Sequence, residues 1–194
     1  MRPYVSFDIE TTGISDESHI LQIAAVYDDL VSPIDELKTF NVAIKYPVMT
    51  HCEPYAMGMN AELLKKMMDK NFGVPPALSV ISLISFLEEC SNKSSQILGK
   101  SSKLILAGKN VASFDIPKLR SFVNKYGNPS SGTVFNTLIH YKTLDVGSLY
   151  YDVFGDNVSL SEINELTGRK EVSHDALDDA MDVVYAVRHK LNIK

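Results

Sequence analysis

Three apolar runs crowded into the first 44 residues constrain the fold of this chain more than any other feature. Tyr4–Glu10 alternates as a strand does and runs into Thr-Thr-Gly, a turn signal. His19–Tyr27 and Thr39–Ile44 read as the next two strands. Strands so closely spaced suggest an antiparallel meander.

Helical and strand patterns then alternate. Ala61–Lys70 is expected to be a helix with Asn60 as its N-cap. Ala77–Cys90 follows Pro75-Pro76 and places Leu78, Ile81, Ile84 or Ser85 and Leu87 at helical spacing. Ser91–Ser102 is rich in Ser and Lys and reads as a loop, and Leu104–Ala107 as a short buried strand. A helix over Ile116–Tyr126, a loop over Gly127–Gly132, a final strand over Lys142–Val146 and a short helix over Leu160–Leu166 follow. Ala176–Leu191 is the clearest helix. The expectation is an α/β fold, a mixed sheet that begins as a meander and continues with parallel strands, flanked by helices. No repeat or long linker divides the chain, so residues 1–194 are expected to form a single domain.

The composition, 45% hydrophobic and 22% charged, excludes a disordered or fibrous chain. Cys52 and Cys90 form no C-x-x-C pattern, which gives neither a disulfide framework nor a thiolate metal site. No apolar run reaches the roughly 18 residues of a membrane span, and two acids within the first ten residues argue against a secretory signal. The expectation is a cytoplasmic protein with no membrane partner.

The net charge of −5 is unevenly spread. Residues 1–60 carry 3 Lys/Arg and 9 Asp/Glu, residues 61–130 carry 10 and 5, and residues 131–194 carry 6 and 10. The basic middle third, with Lys65, Lys66, Lys93, Lys100, Lys103, Lys109 and Lys118, suits a phosphate backbone or simply solvated helix faces. Acidic clusters elsewhere fit a chain whose positive charge comes from bound cations.

Asp8 and Glu10 are two apart in a strand, so both carboxylates point to one face while Phe7 and Ile9 point away. Such a pair belongs to a wet strand face or to a hard divalent cation such as Mg²⁺ or Mn²⁺. Asp115 stands where a strand passes into a helix with Pro117 in its first turn, a position that capping explains by itself. On the last helix, about 100° per residue aligns Ala180, Val183, Val187 and Leu191 in an apolar stripe. Asp178, Asp182 and His189 fall on the far, solvated side, and Asp179 lies at the edge of the stripe, turned towards the core. His174 precedes the helix, where a surface histidine is common.

Taken together these residues carry a resemblance. Phe7-Asp8-Ile9-Glu10-Thr11-Thr12-Gly13 looks like D-x-E-T-T-G, Asn110 to Asp115 like N-x-x-x-F-D, and His174 to Asp179 like H-x-A-x-x-D. In that order they resemble the DEDDh exonucleases, the family of the bacterial polymerase III proofreading subunit, ribonuclease T and oligoribonuclease. The resemblance spans essentially the whole chain, although little aligns between Lys45 and Lys103.

It implies a ribonuclease H-like fold and a metal-dependent 3′–5′ exonuclease working with two divalent cations. Asp8 would bridge the two ions, Glu10 and Asp179 would complete one, and Asp115 would act on the other. His174 would be the general base for the attacking water. Thr11, Thr12 and Gly13 would receive the 3′-terminal nucleotide and Ile14 would pack on its base, while Asn110 is either a substrate-side residue or a loop brace. The implied partner is a single-stranded nucleic-acid 3′ end, with a DNA polymerase or a second copy of the chain as possible companions. Single-stranded DNA is the favoured substrate. The alternatives are an RNA-trimming enzyme, a module that binds nucleic acid without cutting it, and a ribonuclease H-like endonuclease.

Overall fold

The computed structural model describes residues 1–169 and 173–193. Strands β1 (Tyr4–Thr11), β2 (Ile20–Asp28) and β3 (Lys38–Ala43) form the expected meander. Helices α1 (Pro54–Met59), α2 (Ala61–Met67) and α3 (Pro76–Leu98) lead to strand β4 (Leu104–Gly108). Helices α4 (Asp115–Tyr126) and α5 (Ser131–Leu138) precede β5 (Ile139–Asp145). The short helices α6 (Val146–Leu149) and α7 (Tyr151–Phe154), then α8 (Leu160–Thr167) and α9 (Ala176–Lys190), complete the order.

The sheet order is β3-β2-β1-β4-β5, antiparallel between the first three strands and parallel from β1 through β5. The mixed α/β architecture is therefore the one the sequence implies. β1 is the central strand, and every residue from Tyr4 to Thr11 is buried except Asp8. On one face Phe7, Ile9 and Ile23 pack against Leu83 and Leu87 of α3, Leu119 and Phe122 of α4, and Phe135 of α5. On the other face α9 lies across β1 and β2, with Ala176, Ala180 and Val184 against Ala24 and Val26. Its Val183 and Val187 meet Tyr150 and Ile163 from α6 and α8. The small side chains of Ala24, Ala176 and Ala180 let this helix come close to the sheet, and Ser6 Oγ donates to the Ala180 carbonyl at 2.5 Å. Among the described residues no helix is long and apolar enough to cross a membrane.

Several boundaries differ from expectation. Ser91–Ser102 is not a loop, because α3 continues to Leu98 and stops at Gly99, whose φ of +64° is the left-handed conformation that glycine tolerates. The buried row of this helix is Val80, Leu83, Leu87, Cys90 and Ser94, a 3-4-3-4 spacing that passes straight through the polar stretch. Leu78 and Ile81, expected on the core face, are 53% and 60% exposed. The serines are accommodated by polar partners: Ser94 Oγ meets Tyr27 Oη at 3.1 Å, and Ser91 Oγ donates to the Ser102 carbonyl at 2.9 Å.

The expected Gly127–Gly132 loop is cut short by α5, and β5 begins at Ile139 rather than Lys142. Helix α2 ends at Met67, and α1 packs in front of it. Asn60 stands at the junction without capping: its Nδ2 donates to the Thr11 and Ala56 carbonyls at 3.3 and 3.1 Å. Leu191 lies beyond the last turn of α9 and is half-exposed, so the apolar stripe ends at Val187.

Candidate active site

The site is assembled where the sheet ends on the C-terminal side of β1. Strand alternation puts Ser6, Asp8 and Glu10 on the α9 face while Phe7 and Ile9 enter the opposite core. On β2 the register sets Ala24 beside Asp8 and Gln22 beside Glu10, so a methyl group leaves room next to the first carboxylate.

Asp115 is the first residue of α4, and Phe114 holds the cap position, so capping does not account for it. The turn before it is fixed by backbone. Asn110 has φ +58° and donates its N–H to Asp145 Oδ2 at 2.7 Å, and its carbonyl accepts from Ser113 and Phe114 N–H groups. This turn drives Asp115 to 3% exposure beside β1.

Asp179 is delivered by α9 and is 6% exposed. The start of that helix is pinned twice. Asp175 Oδ1 accepts from the Leu177 N–H at 3.0 Å, and Gln22 reaches from β2 with long contacts of 3.4 Å to Asp175 Oδ2 and to the Ala176 N–H. His174 precedes the cap, exposed and in the left-handed region at φ +55°.

The five residues singled out by sequence converge. Ligand atoms of Glu10, His174 and Asp179 all lie within 4.8 Å of one another. Burial raises Asp8 well above the usual carboxylate range, and the charges of Asp115, Asp179, Glu10 and Asp175 push it further. Glu10 is pushed up to about 7 by burial and by Asp179 and Asp175, with the Asn60 amide opposing. Burial likewise lifts Asp115 to about 7, against the pull of its own backbone N–H and that of Ile9, with Glu10 adding to the rise. Asp179 reaches about 7 through burial and the neighbouring charge of Asp182, with the Ser173 backbone opposing and Asp178 and Asp175 adding to the rise.

Desolvated carboxylates with mutually raised pKa values lack a counter-charge. Among the described residues Asp179 Oδ1 is buried with no hydrogen-bond partner, and such an atom is costly unless something fills its lone pairs. The carboxylate oxygens are a donor set that fits a hard divalent cation.

The loop after β1 shows how its residues divide their work. Thr11 Oγ1 donates to the Gly13 carbonyl at 2.8 Å and Thr12 Oγ1 to the His51 carbonyl at 2.5 Å, so both hydroxyls build the loop and are buried in it. Gly13 lies against Glu53, whose Oε1 accepts from the Ile14 and Ser15 N–H groups at 3.0 and 3.2 Å. A Cβ at Gly13 would fall 2.3 Å from that carboxyl group and displace it. Ile14 stands out from the loop at 79% exposure.

Sequence reasoning missed Glu53, Asn60, Gln22 and Asp175 as parts of this site. Asp175 was accessible, since an acid just before a helical run is an N-cap signal, and Glu53 immediately precedes Pro54 at a helix start. Gln22 had no signal of its own. Asp182 was placed on a solvated face but is buried. It accepts from Arg169 Nε and Nη2 at 2.9 and 2.6 Å and from Asn164 Nδ2 at 2.5 Å. Helix α8 covers the side of α9 that the helical wheel assigns to water.

The sheet order, antiparallel through β1 and parallel from β1 to β5, defines a ribonuclease H-like fold. Solved structures of exonuclease I share it. The Escherichia coli protein in complex with a dA16 oligonucleotide superposes with a TM-score of 0.68 over 99% of this chain and 42% of that one, at 14% identity. Its zinc-bound complex with single-stranded DNA gives 0.66 over 97% and 41%, at 15% identity. The enzyme from Methylocaldum szegediense gives 0.66 over 97% and 41%, also at 15% identity. The chain thus spans about two-fifths of the length of these structures. No family model matches it, and no curated protein matches it in sequence.

Proposed function

We propose that this chain is a metal-dependent 3′–5′ exonuclease that hydrolyses single-stranded nucleic acid, with DNA as the favoured substrate. The observation that carries this reading is the convergence of Asp8, Glu10, Asp115 and Asp179, desolvated and without counter-charge, beside His174. The exonuclease I structures that share the fold include complexes with single-stranded DNA and with a dA16 oligonucleotide, which supports the preference for DNA.

Asp8, Glu10, Asp115 and Asp179 would hold two divalent cations, Mg²⁺ or Mn²⁺. When bound, such cations offset phosphate charge and acidify a coordinated water. The residues of the chain orient and exclude. The loop Thr11-Thr12-Gly13 receives the terminal nucleotide through its backbone, because its two hydroxyls are already committed to loop hydrogen bonds. Ile14, exposed at the lip, packs against the terminal base. Asn110 braces the turn that carries Asp115. His174 takes the proton of the attacking water, a role suited to an imidazole near neutral pH. It is exposed while Glu10, Asp115 and Asp179 are buried and Asp8 is partly so, which places it on the solvent side of the cluster.

The test follows release of nucleotides from a 5′-labelled single strand. Asp8→Ala and Asp179→Ala are expected to abolish cleavage while circular dichroism stays native, and EDTA should do the same to the wild type. His174→Ala is expected to slow turnover by about 10²–10⁴-fold with calorimetric metal binding retained. Unchanged cleavage in the Asp variants or in EDTA would refute the two-metal site, and lost metal binding in His174→Ala would make the histidine a ligand. A closed circular strand should survive, and a matched RNA strand degraded faster than DNA would transfer the proposal to RNA trimming.

A further inference from the structure

Positive charge is concentrated in one stretch of this acidic chain. Between Cys90 and Leu144 there are eight Lys/Arg and a single acid, Asp115, which belongs to the candidate site. Two of these cations, Lys103 and Arg120, line one groove of about 340 Å³, with Ala112 and Ile116 beside Arg120 and with Ile139, Tyr141 and Thr143 opposite.

The groove has a built direction. Ala112, Ile116 and Arg120 recur every four residues, so they form one row along α4 and the turn that precedes it. The row begins beside Asp115 and ends about 12 Å further along. Its opposite wall is the edge strand β5, from which Ile139, His140, Tyr141 and Thr143 line the groove where the register against β4 is irregular.

Tyr141 is 84% exposed and stacks on His140 with ring centroids 4.6 Å apart and planes at 25°. The Lys142 ammonium lies 5.8 Å from the Tyr141 ring. Lys103, Arg120 and Lys142 are all exposed, and among the described residues none of the three forms a salt bridge. His140 is held below its ordinary range by loss of solvent and by the positive charges of Arg2, Lys142 and Lys103.

An exposed aromatic ring with one cation beside it and two more in the same groove, of which Arg120 donates only to the neutral Asn136 Oδ1 at 2.9 Å, is the chemistry that binds single-stranded nucleic acid, with bases on the ring and phosphates on the cations. We propose that the groove between α4 and β5 is an accessory tract that holds the body of the single strand behind the end being cleaved. Tyr141 stacks a base, and Lys103, Arg120 and Lys142 neutralise phosphates. The tract rests on the exonuclease reading for its place in the reaction, but its binding chemistry is independent of cleavage.

The experiment separates the two. Fluorescence anisotropy of a 5′-fluorescein dT20 strand, measured in EDTA so that nothing is cut, reads the tract alone. Turnover of the p-nitrophenyl ester of thymidine 5′-monophosphate in Mg²⁺, a substrate too small to reach β5, reads the candidate site alone. Tyr141→Ala is expected to weaken dT20 binding about tenfold, and Tyr141→Phe to restore it. The K103Q/R120Q/K142Q variant is expected to lower the slope of log K against log salt by about 2, at roughly 0.7 for each phosphate no longer neutralised. Turnover of the ester should be unchanged in all of them.

Wild-type dT20 affinity and salt slope in these variants would overturn the tract and leave the patch to an acidic protein. An equal loss of ester turnover would also overturn it, because the residues would then be supporting the site rather than a separate surface. A wild-type protein that turns over neither ester nor strand, while the variants still lose dT20 binding, would sink the exonuclease reading and keep the tract.

Discussion

Asp28 and Asp182 are both buried carboxylates, and neither belongs to the candidate site. Asp28, at the far end of β2 from the acid cluster, accepts from Arg188 Nη2 at 2.6 Å, from Arg188 Nε at 3.0 Å and from Tyr4 Oη at 2.8 Å. Arg188 is 1% exposed and also donates to the Ser32 carbonyl at 2.8 Å. Asp8 differs in kind: a buried acid with a bidentate guanidinium is paired, whereas the site acids face one another. Sequence could not tell them apart, because pairing depends on a partner 160 residues away in the chain. Asp28→Ala is expected to cost about 3–5 kcal/mol by leaving Arg188 as a buried unpaired charge. At about 2–4 °C for each kcal/mol, thermal unfolding should then move down by roughly 6–20 °C. Replacing the network together, with Asp28→Leu, Arg188→Met and Tyr4→Phe, should lose much less. Unfolding curves that rank the triple variant below the single one would show that the ion pair itself stabilises the fold.

At the scale of elements, the strands and the last helix were legible because each carries its own periodicity and is bounded by turn residues. What escaped were segments whose burial is decided by a neighbour. Helix α3 runs through Ser91–Leu98 because its polar residues find partners in β2 and in the segment before β4. Asp182 is buried because α8 lies over it. Asp8, Glu10 and Asp179 were legible from strand and helix geometry, Asp115 and His174 only through motif order, and the supporting Gln22 and Asn60 from neither. The start of α9 matters most for the site, since it places His174 and Asp179 together. Asp175 has two roles there, as the cap for Leu177 N–H and as a further negative charge beside Asp8, Glu10 and Asp179. Asparagine caps as well as aspartate but carries no charge. Asp175→Ala should therefore lower stability by about 1 kcal/mol, whereas Asp175→Asn in EDTA should match or exceed the wild type. Equal losses in both variants on chemical denaturation would assign the role to charge rather than to the cap.

For the whole molecule, the net charge of −5 conceals a division of labour. The acidic first and last thirds supply Asp8, Glu10 and Asp179, and the basic middle third supplies Asp115 together with the groove cations Lys103 and Arg120. The acid cluster opposes folding when it has no counter-charge, and pH exposes that opposition. Glu10, Asp115 and Asp179 have folded-state values near 7, and Asp8 is raised as well. In an unfolded chain the same groups titrate at about 4. Between pH 4 and 7 the folded protein thus retains protons that the unfolded chain releases, so stability falls as pH rises through this window. Each such proton contributes up to about 1.4 kcal/mol per pH unit. Above about pH 7 Glu10, Asp115 and Asp179 lose their protons in the folded state too, and their part of the decline ends. Divalent cations held as proposed would bind the ionised form and supply the missing charge. The metal-free protein should consequently melt at a higher temperature at pH 5 than at pH 8. Mg²⁺ should raise the melting temperature strongly at pH 8 and little at pH 5. Calorimetric scans at both pH values, in EDTA and in Mg²⁺, make the comparison. A metal-free melting temperature that rises between pH 5 and 8 would mean that the site acids are already compensated by the protein, and the case for a cation-binding cluster would fail with it.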